Sequence, residues 1–88
     1  MSAVELIRDR LAQLSPSELE IRDDSAQHAG HAGSQEGGHY AINIVAPCFA
    51  GLTTLQRHRL VYDALGDLRA LRIHALSITA RTPEETRT

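Results

Sequence analysis

The chain has no tryptophan and no lysine, and it has one cysteine. Each shortage excludes something. Phe49, Tyr40 and Tyr62 are the only aromatics, so Ile, Leu, Val and Ala must build the core, and little surface is left for stacking bases. A lone Cys48 excludes an intramolecular disulfide framework. The nine basic residues are all arginine, and the net charge is −2. That balance argues against a chain built mainly to hold nucleic acid by counterion release. No apolar run approaches membrane-spanning length. The opening MSAVELIRDR carries acidic residues and no apolar h-region, which leads us to expect a cytoplasmic protein in a reducing compartment. Enzyme signatures are missing too. There is no G-x-S-x-G, no P-loop, no serine or cysteine with an evident base, and no carboxylate pair spaced for a shared site. The expectation is a protein that is not an enzyme.

What is present fits one domain over residues 1–88, with a small core. Ser2 and Glu5 form an S-x-x-E capping box. Val4, Ile7, Leu11 and Leu14 then mark one apolar stripe, so a helix is expected from about Ser2 to Leu14. Ser15-Pro16 stops it. Leu19 and Ile21 alternate with Glu20 and Arg22, as in a short strand with one wet face. Residues 24–38 show no periodicity and read as a long flexible loop. His39 to Ala46 is the second expected strand, with Tyr40, Ile42 and Ile44 on one face. Thr53 and Gln56 make a second capping box, opening a helix from about Thr54 to Leu68. A third strand is expected over Ile73 to Arg81, with His74, Leu76, Ile78 and Ala80 sharing a face. The tail at 83–88 reads as frayed. The order is α-β-β-α-β. An antiparallel hairpin followed by a right-handed β-α-β crossover makes an α/β (α+β) fold, a three-stranded mixed sheet covered by helices on one face.

The residues able to carry chemistry are mostly histidines. His74 opens the third strand, where its ring sits at the rim of the core; it reads either as a metal ligand or as a half-buried histidine bonded to a backbone carbonyl. His28 and His31 form H-A-G-H in the loop. Small residues between them let both rings turn toward one centre, and imidazole suits iron, zinc and copper; a plain solvated loop is the competing reading. Arg57, His58 and Arg59 occupy the first turns of the second helix. Successive residues there diverge by about 100°, so the two arginines make no single fork, while His58 aligns with Val61 and Leu65 and braces the core edge. Together they read as a basic rim for a partner or for nucleic-acid phosphate. Phe49 and Gly51 read as structural, as does His39. Cys48, between Pro47 and Phe49, reads as an inert or partly buried thiol.

The pattern of Phe49, Gly51, Arg57-His58-Arg59 with an apolar residue and Tyr62 following, and then His74-Ala75-Leu76, resembles the BolA family over about Leu6 to Glu84. The resemblance implies a class II KH-like fold. It also implies an accessory protein that binds a monothiol glutaredoxin of the C-G-F-S type and shares a [2Fe–2S] cluster with it and glutathione, for cluster assembly, transfer or regulation. In that family the C-terminal histidine, here His74, ligates iron. The loop supplies a second ligand, histidine in one subgroup and cysteine in another. This loop holds no cysteine, so His28 or His31 is implied, with His28 favoured by alignment. The isolated chain is then expected to be a monomer without a cluster, and a heterodimer with its partner. The alternative is a KH-like nucleic-acid-binding transcriptional regulator, since BolA proteins are also described as regulators of morphology and stress responses. KH domains clamp nucleic acid with G-x-x-G; here Gly51 has no second glycine three residues on, so any DNA binding is expected to be weak. A zinc-binding or interaction module using His28 and His31 is a third class.

Overall fold

The computed structural model describes residues 2–24 and 38–87. Helix α1 spans Ala3–Leu11, strand β1 Glu18–Asp23, strand β2 Gly38–Val45, helix α2 Thr54–Leu65 and strand β3 Ile73–Arg81. The sheet order is β1-β2-β3, with β1 antiparallel and β3 parallel to the central β2. The expected α-β-β-α-β order, the mixed three-stranded sheet and the one-sided helical cover are all present.

Both capping boxes form. Ser2 and Glu5 satisfy each other's orphan donors at the start of α1, as Thr53 and Gln56 do at α2. Caps alone do not hold a nine-residue helix, which is marginal in water. A cap is worth about 1 kcal/mol, whereas burying one aliphatic side chain is worth roughly 1.5–3 kcal/mol. Ile7 and Leu11 are fully buried, so packing dominates. They join Val61 and Leu65 of α2 and Tyr40, Ile42 and Ile44 of β2 in one cluster that also includes Phe49. The guanidinium of Arg10 donates to the Leu65 carbonyl at 2.9 Å, binding α1 to the unsatisfied C-terminal end of α2.

Several boundaries differ from those expected. The first helix tightens into a 3-10 turn over Ala12–Leu14, and Ser15 turns left-handed at φ 51°. The second helix ends at Leu65 rather than Leu68, because Gly66 takes φ 75° and breaks the helix. The apolar period continues through Leu68, which packs on the core from the following turn. Phe49 is fully buried at the end of a 3-10 turn, and Gly51 adopts φ 77°, as their structural reading required. Cys48 is exposed rather than partly buried.

The tail from Pro83 is not frayed where it is described. Glu84–Thr86 form a 3-10 turn. Thr82 and Glu85 cap it reciprocally: the Thr82 N–H donates to Glu85 Oε1 at 2.8 Å, and the Glu85 N–H donates to Thr82 Oγ1 at 3.3 Å. This is a third capping box, T-x-x-E. The Glu85 carboxylate also accepts both arms of Arg57, at 2.6 and 3.0 Å. Arg57 donates further to the carbonyls of Leu52 and Ala80, each at 3.1 Å. One arginine thus joins the start of α2, the end of β3 and the C-terminal turn.

The Arg57 hydrogen bonds, with the Thr82 N–H adding to them, lower the Glu85 pKa from the ordinary 4.5 to about 2. A carboxylate whose pKa falls on folding stabilises the fold above its unfolded value, and that contribution disappears as pH drops through the folded value. Glu85→Gln is therefore expected to lower the melting temperature at pH 7. The difference from wild type should shrink between pH 4.5 and 2, measured by circular dichroism melts across that range.

Candidate functional site

The pairing of β2 with β3 decides where the histidines lie. From Leu76 onward the register is regular: Tyr40 faces Leu76, Ile42 faces Ile78 and Ile44 faces Ala80. These pairs line the helix-covered side, and Leu76, Ile78 and Ala80 pack on the core cluster. Strict alternation would put His74 on that side too. The ladder is broken there instead. Gly38 pairs with Ile73, but His39 pairs with Ala75, so His74 is the extra residue of a β-bulge.

This corrects the expected position of His74. Ile73 takes the core-facing place and is 7% exposed, while His74 is exposed. Its ring lies 5.3 Å from that of His39, centroid to centroid, with the planes tilted 49°. His39 alternates with Tyr40 and Ile42, so it sits with Ala41 and Asn43 on the sheet face away from the helices. The bulge has moved His74 from the rim of the core to the side of a second imidazole.

Two other features fix the entry to this site. Arg72 takes a left-handed φ of 58°, uncommon for a residue with a Cβ, and its carbonyl accepts the Gly38 N–H at 2.9 Å. A Cβ on Gly38 would come within 2.5 Å of the buried Tyr40 ring, so glycine is needed where the chain re-enters the sheet. Arg69, Arg72, Ile73 and His74 line an open depression of about 590 Å³. Neither arginine forms an ion pair among the described residues, so the ground beside His74 is cationic.

The remaining expected site residues are not gathered there. His28 and His31 lie outside the described residues. His58 is half-buried on α2, in keeping with a brace beside Val61 and Leu65. Arg57 is engaged internally with Glu85 and does not extend from the surface as a basic rim. Arg59 is exposed and lines a separate, largely apolar depression of about 410 Å³ with Leu52, Gln56, Leu60 and Asp63. Among the described residues no group of three or more His, Cys, Asp or Glu is arranged for a metal ion. Beside the bulge the described residues bring two imidazoles together, those of His39 and His74. His39 is the residue that sequence reasoning passed over. Its signal was the register across β2 and β3, which no local pattern displays.

The comparisons agree with this architecture. A family model described as BolA-like protein matches residues 11–85. The chain is 46% identical over 82 residues to BolA-like protein 1 of Mus musculus, covering 92% of this chain and 58% of that protein. It is 45% identical over 86 residues to SufE-like protein 1, chloroplastic/mitochondrial, of Arabidopsis thaliana, covering 90% of this chain and 23% of that protein. The chain thus spans from about a quarter to rather more than half the length of these curated relatives. The structure of BolA1 from Arabidopsis thaliana superposes with a TM-score of 0.81 at 38% identity, covering 97% of this chain and 96% of that one. Among the described residues no helix is long and apolar enough to cross a membrane.

The bulge depends on a glycine beside a tyrosine ring, which makes it testable. Gly38→Ala is expected to displace Tyr40 and destabilise the fold by about 1–3 kcal/mol, the usual cost of overpacking. Chemical denaturation measures the loss, and the nuclear magnetic resonance shifts of the His39 and His74 rings should move with it.

Proposed function

The chain belongs to the BolA-like protein family, and on that premise we propose that it is an accessory protein of iron–sulfur metabolism, binding a monothiol C-G-F-S glutaredoxin and sharing a [2Fe–2S] cluster with it and with glutathione. The observation that carries this reading is the exposed His74 ring, placed on the surface by the bulge and 5.3 Å from a second imidazole. A partner can reach such a ring, whereas it could not reach a core histidine.

The donor set suits the cargo. Imidazole is a competent iron ligand. Two imidazoles on one iron leave the thiolates of glutaredoxin and glutathione to the other, a division that raises the cluster potential relative to an all-thiolate site. Only a neutral imidazole ligates iron. The cationic depression beside His74 supports the same reading. Unpaired Arg69 and Arg72 would favour an incoming partner that carries the carboxylates of glutathione and the negative charge of a reduced cluster. The role follows from the ligands: the chain holds and passes a cluster and turns over no substrate. In this reading His28 and His31 are further candidate ligands, and Arg59 on α2 is a candidate partner contact.

The test is reconstitution. Mixed with a C-G-F-S glutaredoxin, glutathione, iron and sulfide, the chain should co-elute with it as a coloured heterodimer, and the chain alone should hold no cluster. His74→Ala should remove the chromophore's characteristic visible circular dichroism while the apo fold is retained. A brown, cluster-bearing chain purified without a partner, or a His74→Ala complex indistinguishable from wild type, would overturn the proposal.

A further inference from the structure

The second imidazole beside His74 has a chemical use of its own. A transition-metal ion bonds imidazole nitrogen at about 2.0–2.1 Å, and roughly 1.1 Å separates that nitrogen from the ring centre; two rings on one tetrahedral ion therefore have centroids about 5.2 Å apart. The His39 and His74 centroids are 5.3 Å apart with the planes tilted by 49°. A simple ring contact also occurs over about 4.5–7 Å, so distance alone does not choose between contact and chelate. The backbone supplies the second argument. Both rings project from strand backbone, His39 from β2 and His74 from the bulge in β3. His39 lies between Gly38, whose N–H donates to the Arg72 carbonyl, and the buried Tyr40. The Asp24 N–H also donates to the His39 carbonyl at 2.7 Å. His74 is the bulged residue between the buried Ile73 and the paired Ala75. Strand pairing on either side of both residues already fixes their backbone, so little backbone freedom is lost when the two rings meet at one ion.

We propose that His39 and His74 form a cross-strand two-imidazole chelate for a borderline transition-metal ion, making His39 the first partner of His74. The extension of this chelate to iron in a shared cluster rests on the proposed function, but its binding of a bare ion does not. Two protein nitrogens leave the other positions of a four-coordinate ion open to water or to the thiolates of a partner. The neighbouring Arg69 and Arg72 disfavour a bare cation, so the chelate should hold it weakly and hold an ion already carrying thiolates better.

The experiment uses the isolated full chain and divalent zinc, with the loop histidines removed. His28→Ala/His31→Ala protein is titrated with zinc by calorimetry, and imidazole nitrogen shifts are followed by nuclear magnetic resonance. One ion is expected per chain, with the His39 and His74 rings alone shifting. Adding His39→Ala or His74→Ala should each weaken binding by roughly tenfold or more, since either change leaves one imidazole without its tethered neighbour. Amide spectra report whether each variant keeps the fold, and the ring shifts of the parent keep the test decisive if one variant does not. Loss of all zinc binding in the His28→Ala/His31→Ala chain, or unchanged affinity on adding His39→Ala, would overturn the chelate. The same variants with glutaredoxin and glutathione separate the two proposals. A stable shared cluster in His39→Ala discards His39 and keeps the accessory function. An intact zinc chelate with no shared cluster in the parent discards that function and keeps the chelate.

Discussion

The pairing of β2 with its two neighbours is the constraint on which the rest of the structure depends. One face of this central strand supplies Tyr40, Ile42 and Ile44 to the core, where Ile7 and Leu11 of α1 and Val61 and Leu65 of α2 join them. The same strand sets the register of β3, and that register is broken by a single residue. Core and candidate site are therefore two faces of one ladder. A change at Gly38 or Tyr40 reaches both, because the glycine lies against the tyrosine ring on one side of the sheet and His39 lies next in the chain on the other.

Arg57 and Glu85 show how a small core is closed without large aromatics. The fold has one phenylalanine, and the ends of its elements are held by polar groups that find backbone partners. Arg57 satisfies two carbonyls and one carboxylate, Arg10 satisfies the end of α2, and three Ser/Thr capping boxes satisfy helix and turn starts. Each bond is modest, about 1 kcal/mol net. Together they tie the ends of α1, α2 and β3 to their neighbours. A residue expected on the partner-facing rim serves instead to hold the frame, leaving Arg59, Arg69 and Arg72 as the arginines beside the two depressions.

Much of this was legible beforehand. Two capping boxes mark both helix starts to within a residue, the alternation around Tyr40, Ile42 and Ile44 marks the buried face of β2, and the run from Ile73 to Arg81 is the span of β3. The family resemblance carried by Arg57-His58-Arg59 and His74-Ala75-Leu76 agreed with the family model. The misreadings share a physical character. The apolar period outruns α2 because Leu68 keeps the helical spacing from the following turn, and the polar tail is ordered because Thr82 and Glu85 form a capping box across Pro83-Glu84. Unbroken alternation puts His74 on the core face, and the bulge removes it from there.

The sequence by itself determined the element types, their order, the one-sided core and the family. Those properties are written in spacings of two to four residues, where local sterics and amphipathic period act. Only the tertiary structure decided that Arg57 would face Glu85, that Ile73 would take the core-facing place, and that His74 would stand beside His39. These depend on which residue lies across the ladder from which. Residues some 30 positions apart are brought together by strand pairing, and a one-residue slip in that pairing reverses which face a side chain occupies.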